Sequence, residues 1–250
     1  MRFSWLVSRV LGIATLLALW QLISFVSGEF FFPSLTTVVK ILFDLIISGD
    51  FIGPISITLA RVTFGMILAV TFGVFIGIIT GSRHIIDNLI GPILIVVMLT
   101  PSLLMVFLTI FTLGFYDYVP SFAAAIVHTP FSAIVIRGQL LNPPKEKLEM
   151  AKAYCASKRL ILWHIYLPFL VPVIMSEARV AYGHSWKITI LSEIFGFSSG
   201  AGYIVKIYFA NLDIARVLTW ASLVIVFVLC IEEVLRMVEK RMYRWSVSGG

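Results

Sequence analysis

The chain has 250 residues, 60% of them hydrophobic and only 13% charged, with a formal net charge of +6 and a mean hydropathy of +1.01. A soluble domain carries about 45–50% apolar and about 25% charged residues, so this chain has too little polar surface to cover a water-facing globule. A soluble enzyme is excluded.

The uncharged runs 10–28, 62–82, 88–116 and 118–136 each approach or exceed the ~18–20 residues that span a hydrocarbon core as helix. Two further stretches, 168–190 and 217–238, are interrupted by charge. Barrel strands would be about ten residues long with alternating polarity, whereas these runs are continuously apolar. The fold class is therefore an all-α integral membrane protein with about six transmembrane helices in one domain, 1–250. Its spans fall near 8–28, 57–81, 87–113, 118–137, 168–190 and 215–238, with a loop at 138–167.

The first run follows Arg2 and Arg9, as the apolar core of a signal peptide would. It is longer than the usual ~7–15 residues and lacks an A-x-A site, which favours a retained span. Phe30-Phe31-Phe32-Pro33-Ser34 follows, suited to an interfacial anchor. A helix over 35–47, with Lys40 and Asp44 among helically spaced apolar residues, is expected to lie on the outer surface.

The second span carries Gly65, Ala69, Gly73, Gly77 and Gly81 along one face, a stripe that admits close helix approach in lipid. It serves packing within one subunit, or else a contact between subunits or a moving interface. The 88–116 run exceeds one span and contains Pro92 and Pro101. Thr100-Pro101-Ser102 marks either a break lining a cavity or a simple proline kink. In the fourth span, His128 is a packing residue or a pathway group.

From Arg137 to Arg159 the chain turns basic, with six cations against Glu146 and Glu149. Asn142-Pro143-Pro144 is a helix-start signal. A helix over 145–157 must lie outside the bilayer, because Lys145, Glu146, Lys147, Glu149 and Lys152 crowd its first half. The fifth span holds Glu177, Arg179, His184, Trp186 and Lys187, with Glu193 at its outer end. Glu177 and His184 share a face, as do Arg179 and Trp186. They neutralise one another or line a polar path. The loop 196–216, with Gly196, Gly200 and Gly202 before an apolar stretch, is a re-entrant or interfacial piece, and the last span ends in a basic tail over 237–245.

Orientation follows from the cations. With the N-terminus inside, the cytoplasmic segments hold Arg2, Arg9, Arg83, Arg137, Lys145, Lys147, Lys152, Lys158, Arg159, Arg236, Lys240, Arg241 and Arg244, against Lys40, Lys206 and Arg216 outside. That bias puts both termini in the cytoplasm. The positive charge is then topological. No basic stripe interleaved with exposed aromatics suggests nucleic acid.

No G-x-x-x-x-G-K-[ST], H-E-x-x-H or C-x-x-C occurs. His84, His128, His164 and His184 lack metal-ligand spacing. Cys155 and Cys230 lie at or near the cytoplasmic side, so no disulfide framework is implied. Neither a catalytic residue nor a metal site can be named.

The loop reads Glu149-Met150-Ala151-Lys152-Ala153-Tyr154-Cys155-Ala156-Ser157, followed after a spacer by Ile165-Tyr166-Leu167-Pro168. This resembles the EAA loop, E-A-A-x3-G-x9-I-x-L-P, of binding-protein-dependent ABC importer permeases. Met150 replaces the first Ala and Cys155 replaces the Gly. That Gly gives a tight turn between short helices, so Cys155 predicts a turn made within ordinary backbone limits.

Further segments resemble the nitrate/sulfonate/taurine subfamily, which also includes bicarbonate and thiamine-precursor permeases. They are Phe32-Pro33-Ser34, the [ST]-L-x-R-V-x2-G of Thr58 to Gly65, the W-x6-E of Trp186 to Glu193, and Ser199-Gly200-Ala201-Gly202-Tyr203-Ile204. Thr100 to Met105 departs from the subfamily's P-P-L-A-W, in a region expected to bear on substrate choice.

The resemblance implies a type I ABC importer permease fold in the inner membrane of a prokaryote, paired with a second permease copy or paralogue. It also implies two ATPase subunits that bring ATP and Mg, none being bound by this chain, and an extracytoplasmic solute-binding protein. Glu149 to Ser157 would form the coupling helix, acting through Ile165, Leu167 and Pro168. Thr100, Pro101, Ser102, His128, Arg179 and Trp186, polar or aromatic groups at membrane depth, are the expected pathway. The expected cargo is a small nitrate-, sulfonate- or taurine-like anion, with a thiamine-precursor-like aromatic nutrient as the alternative. A self-sufficient channel or carrier would leave the EAA-like loop without a task and would favour an inverted repeat that is not seen. A membrane scaffold would leave the charges inside spans unexplained.

Overall fold

The computed structural model describes the backbone of residues 2–247 and the side chains of residues 11, 12, 14–237 and 241. The side chains of Arg2 and Arg9 and most of the basic tail lie outside the described residues. The chain is helical in the order α1 (Arg2–Ser27), α2 (Leu35–Ser48), α3 (Ile52–Ser82), α4 (His84–Leu99), α5 (Ser102–Leu113), α6 (Val119–Leu141) and α7 (Lys145–Ala153). Then follow α8 (Lys158–Ile161), a π turn (Leu162–Tyr166), α9 (Leu167–Gly196), α10 (Ala201–Ala210) and α11 (Ile214–Val247). No strand occurs among the described residues.

Among the described residues four helices are long and apolar enough to cross a membrane, Ile52–Ser82, Val119–Leu141, Lys158–Gly196 and Ile214–Met237. The bent pair α4 and α5 is a broken span or a re-entrant loop, and the described side chains of α1 include the apolar stretch Ala14–Ser27. The expected surface helix is α2. Ser34 caps it, its Oγ accepting from Thr37 N–H at 3.3 Å, and α2 packs against α11. Trp20 Nε1–H donates to Pro33 C=O at 3.1 Å, joining α1 to the entry of α2.

The run 88–116 is two helices meeting at 105°, a break and not a mild kink. Proline disfavours helical backbone in the residue before it, and Thr100 is extended, at φ −69° and ψ 131°. Its backbone N–H still donates to Val96 and Val97 C=O, closing α4. At the other end of α4, the Arg137 guanidinium donates to both carboxylate oxygens of Asp87, pinning α4 to α6.

Helix α6 is the centre of the bundle. In its membrane-length window 61% of residues are buried, against 28% or fewer in the other spans. The small-residue stripe of α3 lies along it: a Cβ at Gly73 would meet Ser132 Cβ at 2.3 Å, and one at Gly77 would meet Ala133 C=O at 2.7 Å. The stripe therefore packs within the subunit. Two apolar clusters complete the frame. One gathers Val62, Tyr182, Trp186, Trp220 and Leu223 from α3, α9 and α11. The other gathers Val106, Ile110, Ala123, Ala124 and Ile188 from α5, α6 and α9.

Candidate functional site

The segment that resembles the EAA loop starts where Pro143 and Pro144 end one helix and open the next. α7 buries only Ala151, while Glu149, Met150, Lys152 and Tyr154 are exposed. Met150 is 58% and Tyr154 82% exposed. Four residues apart on a helix, they are neighbours and form an apolar spot on an otherwise charged element.

The expected helix over 145–157 stops at Ala153, and the turn that stops it overturns the expectation for Cys155. Its φ is +51°, in the left-handed region. Ala156 N–H donates to Ala151 C=O at 2.9 Å and Cys155 N–H to Lys152 C=O at 3.0 Å, the paired bonds of a Schellman motif whose left-handed position usually holds Gly. The left-handed turn is kept with a side chain in the Gly position. Ser157 then caps α8, its Oγ accepting from Leu160 N–H at 3.4 Å.

Past α8, Leu167 N–H reaches back to Leu162 C=O, closing the π turn. Pro168 has no N–H to give to His164 C=O, the ordinary helical partner, and the wider turn lies directly before it. Ile165 is buried there, while Leu167 and Pro168 are exposed. From Lys158 to Gly196 the chain nevertheless runs as one 39-residue helix.

At the far end of α9 the quoted motif segments come together. Glu193 is fully buried. It accepts from Thr58 Oγ1–H at 2.9 Å, Arg61 Nη1–H at 2.9 Å and Gly202 N–H at 2.9 Å. Arg61 also donates to Ser199 Oγ at 2.8 Å and Asp117 Oδ1 at 3.0 Å, and Ala201 N–H donates to Thr58 Oγ1 at 2.8 Å. One buried carboxylate thus ties α3, α9, α10 and the loop before α6. Gly200 is required: its φ is +97°, and a Cβ there would meet the Glu193 carboxylate at 2.2 Å. Sequence reasoning quoted these segments separately and missed the lock. The signal was that each carried a polar residue without a stated partner.

A second buried group lies midway along α6 and α9. His128 Nε2 is 2.8 Å from Glu177 Oε1, and Ser132 Oγ–H donates to the same oxygen at 2.8 Å. His128 Nδ1 lies 2.9 Å from His184 Nδ1. Arg179 faces α11, 3.7 Å from Glu232. Glu177, Arg179, His184 and Glu193 of the fifth span thus have partners inside the chain, while Lys187 is exposed. Of the six expected pathway residues, His128 is in this buried group and Trp186 is in the apolar cluster of α3, α9 and α11, edge-on to Tyr182. Thr100, Pro101 and Ser102 are at the break between α4 and α5, with Pro101 and Ser102 exposed.

Residues 69–244 match the family described as binding-protein-dependent transport system inner membrane component. The chain belongs to this family. It is a permease subunit of an ABC importer. Curated relatives include a probable ABC transporter permease protein of Brucella abortus (strain 2308), 24% identical over 72% of each chain. The taurine transport system permease protein TauC of Escherichia coli (strain K12) is 22% identical over 71% of this permease and 64% of TauC. A putative aliphatic sulfonates transport permease protein SsuC of Bacillus subtilis (strain 168) is 24% identical over 99% of this permease and 90% of SsuC. Among solved structures, an amino acid ABC transporter with histidines aligns at TM-score 0.63 and 18% identity, covering 80% of this permease and 97% of that chain. The MetNI methionine ABC transporter aligns at TM-score 0.54 and 16% identity, covering 76% and 91%. These structures share the fold, a type I permease fold.

Proposed function

We propose that this permease carries a small anion of the sulfonate or taurine class into the cytoplasm by alternating access, working as a pair with two ATPase subunits and an extracytoplasmic solute-binding protein. The observation that carries the coupling role is the exposed Met150 of α7 and the exposed Tyr154 that caps it, an apolar spot on a charged segment beside the left-handed Cys155 turn. Glu149 to Ser157 seat in a groove of the ATPase. Closure of the ATPase pair pushes on α7, and the push passes through Ile165, Leu167 and Pro168 into the continuous helix of α8 and α9. ATP and Mg are held by the partner, whose phosphate loop this chain lacks. The end carrying α7 faces the cytoplasm, a reading the cation bias supports, and α1 is the first span. Thr100, Pro101 and Ser102, where backbone is broken at membrane depth, border the path. The anion class is supported by the similarity to the taurine permease TauC and the aliphatic sulfonate permease SsuC.

Two measurements test this. The full-length chain purified in mild detergent should bring down a subunit bearing G-x-x-x-x-G-K-[ST], and the solute-binding partner should bind taurine or alkanesulfonates by calorimetry. Purification without any such ATPase overturns the coupling role, and a binding partner selective for cations overturns the anion class. With the assembled transporter, Glu149→Arg combined with Cys155→Arg should leave ATP hydrolysis running while uptake falls at least tenfold. Unchanged uptake would place the docking surface elsewhere.

A further inference from the structure

We propose that His184, His128 and Glu177 form a proton-binding site inside the membrane, and that the bound proton strengthens the tie between α6 and α9. The three side chains form an unbroken line. His128 Nδ1 is 2.9 Å from His184 Nδ1, and His128 Nε2 is 2.8 Å from Glu177 Oε1. Ser132 Oγ–H adds a second donor to Glu177 Oε1 at 2.8 Å. His128 and Glu177 are buried, while His184 is only partly covered, so it is the entrance. Phe131 packs against both imidazoles, with ring centroids 5.5 and 5.9 Å away. No three metal-ligating side chains among the described residues are placed to hold a metal ion.

The hydrogen bookkeeping is closed. With Glu177 ionised and both imidazoles neutral, His128 donates Nε2–H to Glu177. Its Nδ1 must then accept, so His184 carries its hydrogen on Nδ1. The group bears one negative charge. A proton arriving at His184 Nε2 releases the Nδ1 hydrogen, which crosses the 2.9 Å contact to His128 Nδ1. The charge comes to rest on His128, against the carboxylate, and the group is neutral. The hydrogen bonds are all kept, one with its direction reversed, and no heavy atom has to move. A buried carboxylate in lipid is costly until it is paired, and the imidazolium supplies that pairing across α6 and α9.

The neighbouring charges are committed elsewhere or known. On α3, Arg61 is held by Glu193 and Asp117. On α4, Asp87 is held by Arg137 of α6, with His84 at the start of the helix. α5 carries no charged residue. On α9, Arg179 faces Glu232 of α11, and Lys187 is exposed three residues beyond His184. Lys206 of α10 is exposed. Arg216 and the Glu233–Arg236 pair of α11 are engaged with neighbours in sequence.

The test is solid-state NMR of the 15N-histidine-labelled full chain in lipid, titrated from about pH 9 to about pH 5, the range in which imidazoles exchange protons. His128 and His184 should titrate together, sharing one apparent midpoint, because two strongly coupled sites respond as a pair. His84 and His164 serve as internal controls. Glu177→Gln should weaken proton binding at least tenfold, lowering the shared midpoint by about one pH unit or more. Independent titration of the two histidines, no proton uptake by either, or a midpoint unmoved by Glu177→Gln overturns the proposal. The wild-type co-titration needs no variant, so it decides the case even where Glu177→Gln fails to fold.

Discussion

The two ends of the Lys158–Gly196 helix are built on opposite principles. At one end the buried Glu193 is held by donors from α3 and from the start of α10, and Gly200 is bare so that the carboxylate fits. At the other, the chain passes through a π turn into a short exposed helix, with a cysteine in a left-handed turn and its largest apolar side chains facing outward. A helix that transmits a push needs one end fixed in the frame and the other free to receive it. The anchor is internal to the subunit. The other end leaves its surface exposed, as the coupling role proposed above requires.

The harshest way to break this contrast is to remove the anchor. Arg61→Ala leaves Glu193 buried with only neutral donors, and an uncompensated buried charge costs about 3–5 kcal/mol. Glu193→Ala should cost less, because Arg61 keeps Asp117 and Ser199. Thermal unfolding of the purified chain in detergent measures both. The double variant Arg61→Met with Glu193→Met should be less damaging than the sum of the two losses, since no lone charge remains. A cost below about 1 kcal/mol for Arg61→Ala would mean that the anchor is a surface-like pair and that α9 is held by its apolar contacts alone.

The next effect concerns the frame that receives the anchor. Gly73→Val forces a side chain into Ser132 of α6, where even a Cβ would sit 2.3 Å from its neighbour, and overpacking of this kind costs about 1–3 kcal/mol. Gly183→Ala on α9 is the matched control. Nothing lies within 4 Å of its Cβ position, and alanine is the better helix former by about 0.8–1.0 kcal/mol. The same unfolding assay should therefore show loss at Gly73 and no loss at Gly183. Equal losses would show that α3 and α6 are not the rigid pair.

Much of this was legible in the sequence because lipid simplifies the reading. Long uncharged runs announce helices, the glycine stripe on α3 announces a close neighbour, and Pro101 announces a discontinuity. The size of the bend at Thr100 was not legible, since proline fixes only what is forbidden. Nor was the partnership of residues far apart in the chain. Thr58 and Glu193 are separated by 135 positions, as are the two sides of their 2.9 Å hydrogen bond, and no periodicity encodes that. The His128 and Glu177 contact likewise joins two spans whose polar residues, read singly, suggested a path. Cys155 failed for a different reason. Residue identity states a preference for φ, and the neighbouring Schellman bonds outvoted it.

That conflict sets up the mildest prediction, and it bears on the receiving end. A residue with a Cβ in the left-handed region costs about 1–2 kcal/mol relative to ordinary backbone, and Gly escapes most of it. Cys155→Gly should therefore stabilise the folded chain, though by less than the full amount, because Gly also gains entropy in the unfolded state. A net gain of about 0.5–1 kcal/mol corresponds to a rise of about 1–4 °C in the unfolding midpoint of a chain this long. Cys155→Ala is the control. It removes the thiol and keeps the Cβ, so it should leave the midpoint where it was. A rise with alanine as large as with glycine would locate the strain in the sulfur's surroundings instead of the backbone. A rise with glycine alone shows that the strain lies in the left-handed backbone of the Cys155 turn.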